Sequence, residues 1–91
     1  MSKVILQGFI IVPEEDLAAL KQALPEHAEL TRDEPGCLLF EVEPHASDPY
    51  RFDVYEEFVS QAAFDLHQQR VKQSRWGAVS AHAIRHYEII G

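Results

Sequence analysis

Residues 34–42 read Glu34-Pro35-Gly36-Cys37-Leu38-Leu39-Phe40-Glu41-Val42, or EPGCLLFEV. A charged, helix-compatible run ends at the Pro-Gly corner, where proline fixes one torsion and glycine accepts a positive one. A strand of alternating character leaves that corner over Cys37 to Glu43. Upstream of it, Leu17, Leu20, Leu24, His27 and Thr31 recur at helical spacing and give a first helix a buried stripe. Pro25 lies inside this helix and is expected to kink or split it, since proline lacks an N–H and crowds the preceding turn. Before the helix stand Pro13 and three acids, Glu14, Glu15 and Asp16, well placed against the positive end of a helix dipole. Before them Val4 to Val12 is rich in β-branched and aromatic residues and reads as a strand.

Downstream of the corner, the turn-rich segment PHASDP leads into a strand over Tyr50 to Phe58. Ser60 is a good N-cap for a second helix that carries Ala63, Phe64, His67 and Val71 on one face. A short helical piece follows over Ser74 to Ser80, and His82 to Ile90 is the last strand. The order is strand, helix, two strands, helices, strand. Hairpin pairing of the middle strands makes this an α+β chain of the ferredoxin-like βαββαβ type, with helices over one face of a four-stranded antiparallel sheet.

A chain of 91 residues holds one core, so residues 1–91 are read as a single domain. The net charge of −7 excludes a nucleic-acid partner, because phosphate binding needs a basic footprint. Arg70, Lys72 and Arg75 form the densest basic cluster and read as a solvated helix end. The single cysteine, Cys37, permits no intramolecular disulfide and no cysteine-rich zinc site, which fits a cytoplasmic location. The N-terminal run MSKVILQGFIIV is too short to span a bilayer, so no membrane association is expected.

The first strand does not alternate as a sheet with one wet face should. It offers Val4, Leu6, Ile10 and Val12 one way and Ile5, Phe9 and Ile11 the other. Leu39 and Tyr55 add apolar surface on that second face. Each large side chain gains roughly 1.5–3 kcal/mol on burial, so a second layer is expected there. The simplest is the same sheet from another copy, a homodimer packed face to face.

Polar residues on the apolar faces carry the chemistry. Period-two counting places Glu56 on one face with Phe52, Val54 and Phe58. Helical counting places His27 and His67 on the buried stripes of the two helices, so all three approach one apolar space. Burial raises a carboxyl pKa and lowers an imidazole pKa, while pairing opposes both. One imidazole can then act as a general base near neutral pH. A hydrogen-bonded polar pair that only fixes packing is the alternative. A metal held by two His and one Glu is disfavoured, because neither helix carries a close His pair, and His82 and His86 are spaced along a strand. Trp76 reads as a core plug or a pocket wall, and Cys37 as an inert buried thiol. No phosphate loop, Gly-x-Ser-x-Gly or dinucleotide fingerprint occurs.

The segment from His27 through Thr31 and Glu34-Pro35-Gly36-Cys37-Leu38 to Val42, together with DPYRFDVYEEF and AAFDLHQQRV, resembles the antibiotic biosynthesis monooxygenase family. The resemblance covers nearly the whole chain, and its most telling residues are His27, the corner, Phe52 with Glu56, and Ala63 with His67. It implies a dimeric α+β barrel, sheet to sheet, with a pocket between helices and sheet in each subunit. It further implies oxidation of a quinol or activated phenol by O2 without flavin, haem or metal, so no cofactor is expected. His27, Glu56 and His67 would supply the catalytic set, one His as base and Glu56 orienting it. Phe40, Phe52, Phe58, Phe64 and Trp76 would wall the small-molecule substrate site. Members that isomerise small carbonyl compounds make an isomerase or tautomerase the second reading, and a non-catalytic binding dimer the third. A branch that degrades haem through Asn, Trp and His is excluded, since this chain contains no asparagine.

Overall fold

The computed structural model describes residues 3–91. Strand β1 covers Val4–Ile11, and a 3-10 turn over Glu14–Asp16 runs into helix α1, Leu17–Arg32. Strands β2, Cys37–Pro44, and β3, Arg51–Phe58, form the hairpin. Helix α2, Gln61–Lys72, the short helix α3, Arg75–Val79, and strand β4, Ile84–Ile90, complete the chain. The four strands lie in the order β2-β3-β1-β4, every pair antiparallel. This is the expected ferredoxin-like βαββαβ fold.

Each element begins where the chain's chemistry places it. The Ser60 hydroxyl accepts from the Ala63 amide at 3.2 Å, and the Ser74 hydroxyl from the Gly77 amide at 3.1 Å. Each cap satisfies a helical N–H that would otherwise lack a partner. The last strand starts two residues later than expected, since His82 lies in the turn after α3. Pro25 does not split α1, which is helical on both sides of it. Buried Leu20 and Ala23 before the proline, and His27 and Thr31 after it, tie both halves to the same interior. Their packing outweighs the one lost hydrogen bond.

The corner at Glu34 to Cys37 is a turn closed by the Cys37 amide on the Glu34 carbonyl, 3.1 Å. Gly36 is there for a different reason from the one expected, because its φ is not positive. A Cβ on Gly36 would stand 2.3 Å from the Ala63 Cβ of α2. Close approach of corner and helix, rather than a left-handed torsion, requires the glycine.

The core lies between the helices and one sheet face. Val4, Leu6 and Ile10 of β1 and Phe52, Val54 and Phe58 of β3 pack against Leu20, Phe64 and Trp76 from the helices. Glu56 sits in this layer, paired in register with Phe40 on one side and Leu6 on the other. The opposite sheet face mixes apolar and charged groups. There the Phe9 ring stacks on His86 at 4.6 Å and lies 3.9 Å beneath the Arg51 guanidinium. Arg51 in turn bonds Asp53, and Gln7 bonds Glu88. Among the described residues no helix is long and apolar enough to cross a membrane.

Candidate active site

Three backbone devices bring the polar residues of the interior together. The pleat of β3 turns Glu56 inward, 6 % exposed. The buried stripe of α1 carries His27, and that of α2 carries His67, both under 5 % exposed. Helix α3 then closes one end. A Cβ on Gly77 would meet the Val71 carbonyl oxygen at 2.1 Å, so only glycine lets α3 press this closely on the end of α2. That docking lays the Trp76 indole on the His27 ring, with centroids 4.6 Å apart and planes 3° from parallel.

His27, Glu56, His67 and Trp76 line one hollow of about 150 Å³, with Leu6 and Val71 beside them. Gln68 of α2 and Arg85 and Tyr87 of β4 complete its rim. The imidazoles lie 6.0 Å apart, centroid to centroid. The catalytic trio expected from the sequence therefore shares a cavity.

The partnership within it differs from expectation. Glu56 does not orient a histidine: its Oε1 stands 3.5 Å from the Nε2 of His67, beyond hydrogen-bond length, and has no partner. Glu34, from the corner, holds His67 instead. Both Glu34 oxygens lie 3.1 Å from the Nδ1 of His67. Arg70, one turn along α2, binds the same carboxylate through Nε and reaches the Thr31 hydroxyl at 2.9 Å. A carboxylate only accepts, so Nδ1 carries the hydrogen. The Nε2 of neutral His67 then presents a lone pair toward Glu56. Sequence reasoning missed Glu34 as a site residue. The paired acid and base at 34 and 67 lie on separate elements, and only the corner pressed against α2 brings them together.

Burial sets the proton affinities. Desolvation, then the Glu34 carboxylate, pushes the Glu56 carboxyl up to about 7. Desolvation lowers His27 to about 3, with His67 and the Arg70 charge adding to the fall. His67 is also lowered by desolvation, against an upward pull from its bond to Glu34. The Tyr87 phenol, its residue still 37 % exposed, is pushed up to about 12 by desolvation and then by Glu56. Near neutrality the cavity thus holds two neutral imidazoles and a carboxyl that gains or loses its proton readily. Among the described residues no three His, Cys, Asp or Glu side chains are grouped to hold a metal ion.

Of the five aromatic residues expected to wall the site, only Trp76 does so. Phe40 and Phe58 back the histidines from within the core, Phe40 edge-on to His27 at 5.2 Å and Phe58 at 4.9 Å from His67. Phe52 is buried in the core on the same sheet face, and Phe64 packs edge-on against Phe58 at 5.5 Å. These rings are buried in the interior and do not line the hollow; Phe40 and Phe58 support the two imidazoles from behind. Gln68, Arg85 and Tyr87 were missed, two of them because β4 carries no alternating apolar pattern to mark its inner face. Cys37 is half-buried and its thiol is pushed up, first by desolvation and then by Glu34 and Glu56, which leaves it unreactive.

The chain resembles several solved structures. A candidate antibiotic biosynthesis monooxygenase from Deinococcus radiodurans is 28 % identical, with a TM-score of 0.79 over 97 % of this chain and 90 % of its own. Another antibiotic biosynthesis monooxygenase is 26 % identical, with a TM-score of 0.71 over 99 % of this chain and 94 % of its own. A candidate member from Nitrosomonas europaea, 22 % identical, shares the fold with a TM-score of 0.77 over 98 % and 94 % of the two chains. No curated protein matches the sequence. The antibiotic biosynthesis monooxygenase profile matches residues 3–79, and the chain belongs to that family.

Proposed function

We propose that this protein is a cofactor-independent monooxygenase that oxidises a single-ring quinol or activated phenol with O2. The observation that carries the reading is a tautomer-locked His67 beside an unbonded Glu56 carboxyl at the wall of a small hollow of mixed polar and apolar lining. Oxygen reacts poorly with closed-shell molecules, and a phenolate is electron-rich enough to give it an electron directly. The Nε2 of His67 takes the phenolic proton, and Glu34 stabilises the imidazolium that results. The Glu56 carboxyl, poised near 7, relays protons to the reduced oxygen. One oxygen atom enters the ring as a carbonyl and the other leaves as water. The ring gives up four electrons and O2 accepts four, so no external reductant is needed. A hollow of about 150 Å³ accepts one six-membered ring and not a polycycle. The other polar wall, His27, stays neutral and offers a hydrogen bond to a second ring oxygen.

Oxygen uptake with a panel of dihydroxybenzenes tests this. We expect uptake that falls by about 10²–10⁴-fold in His67→Ala. Uptake no faster than the uncatalysed rate, or unchanged in the variant, overturns the reading. An isomerase using the same base would exchange solvent deuterium into a small carbonyl substrate without oxygen, which separates the two. We further infer that two copies pair through the open sheet face, around Ile5, Phe9, Ile11, Leu39 and Tyr55. Sedimentation should then give twice the chain mass, and Phe9→Arg should halve it.

A further inference from the structure

Outside the inner hollow lies a second one of about 460 Å³, bordered by Gln68, Val71, Lys72, Gly77 and Arg85. Gln68, Val71 and Arg85 border both. The outer cleft is therefore the approach to the cavity, between the end of α2 and β4. Its border carries two cations and no carboxylate, in a chain whose net charge is −7. Among the described residues neither Lys72 nor Arg85 is in a salt bridge, whereas Arg70, two residues before Lys72, is turned inward onto Glu34.

Arg85 is held in a particular attitude. Its Nη1 donates to the carbonyls of Ser80 and Ala83 at 3.1 and 3.2 Å, and its Nη2 to the Ser80 hydroxyl at 3.0 Å. Ser80 is 1 % exposed, so the anchor is rigid. Three of five guanidinium hydrogens are thereby used. The Nε–H and the second Nη2–H remain, the edge that binds a carboxylate in a two-bonded fork. The Tyr87 phenol neighbours Arg85, whose charge and hydrogen bonding pull its pKa down against the larger upward effect of burial.

We propose that the substrate carries an anionic arm, with its ring in the inner hollow and its carboxylate on Arg85 and Lys72 in the outer cleft. The ring's size and the arm's charge together name the class: a single-ring phenol bearing a carboxylic acid. This rests on the inner hollow being the substrate site, and it adds a selectivity that the hollow alone does not have. Arg85 supplies direction and Lys72 supplies charge. A neutral ring would find the same walls and lack the anchor.

The test is an anaerobic calorimetric titration with 2,5-dihydroxybenzoate, its methyl ester and 4-hydroxyphenyl phosphate, with the fluorescence of Trp76, the sole tryptophan, read in parallel. The acid should bind at least about tenfold tighter than the ester and change the Trp76 emission. Arg85→Gln should abolish that difference, and Lys72→Gln, at an exposed position, should reduce it severalfold while the ester is unaffected. Tighter binding of the phosphate than of the acid would keep the anion site and assign the arm to phosphate. Equal binding of acid and ester, equal weakening of both in the variants, or binding that leaves Trp76 unperturbed overturns the proposal. Oxygen uptake separates it from the oxygenase reading: equal turnover of acid and ester defeats the arm alone, and selective binding without turnover defeats the oxygenase alone.

Discussion

Strands β3 and β4 both flank β1, and they could hardly differ more. Along β3 every second residue is buried, Phe52, Val54, Glu56 and Phe58. Along β4 all seven residues are exposed. The helices reach across β2, β3 and β1 and stop there, so β4 is sheet without a roof. The hollow lies at that boundary, with His27, Glu56 and His67 on the roofed side and Arg85 and Tyr87 on the open side. A covered strand can shift the pKa of a carboxyl. An uncovered one can meet a ligand.

Substitutions should fall off in effect from the covered strand to the bare one. Phe58→Ala, at a position with no exposure, should cost about 3–5 kcal/mol in denaturant unfolding. A loss below about 1 kcal/mol would mean that β3 is not the centre of the core. Glu34→Ala should cost about 1–3 kcal/mol by leaving His67 and Arg70 without their shared acceptor. In thermal unfolding that is a drop of several degrees.

The pH profile of stability sharpens the contrast, because its two opposed limbs both arise under the helices. Between pH 3 and 6.5 the unfolded chain takes up a proton at His27 that the folded chain refuses, so stability rises with pH. Between pH 4.5 and about 7 the folded chain keeps a proton on Glu56 that the unfolded chain has released, so stability falls. Each limb has a slope of at most about 1.4 kcal/mol per pH unit. His27→Gln should remove the rise and Glu56→Gln the fall, both read by thermal melts across pH. Smallest of all, Ile89→Ala on β4, 55 % exposed, should change stability by no more than about 0.5 kcal/mol. A larger loss would mean that something covers β4 in solution.

The same contrast explains what could be read from the sequence. Periodicity reports burial, so α1, α2 and β3 announced themselves, and with them the inward turn of His27, Glu56 and His67. Ser60 marked its helix start because capping is local. Glu34 gave no such signal, being one acid among fifteen at a turn, and its partner is 33 residues away. Arg85 and Tyr87 were hidden for the opposite reason, since an unroofed strand imposes no pattern on its residues. The phenylalanines misled because a ring that builds a core and a ring that lines a pocket share the same spacing. Pro25 misled because local propensity was weighed without the packing on both sides of it.

The contact of Gly36 with Ala63 has a consequence for the chemistry. The corner carries Glu34 two positions before the glycine, and α2 carries His67 one turn after the alanine. The separation of the carboxylate and the imidazole is therefore gauged by two of the smallest side chains in the protein meeting back to back. Adding a single methyl group at Gly36 would act as a shim between corner and helix, and would shift His67 against Glu34 without touching either side chain.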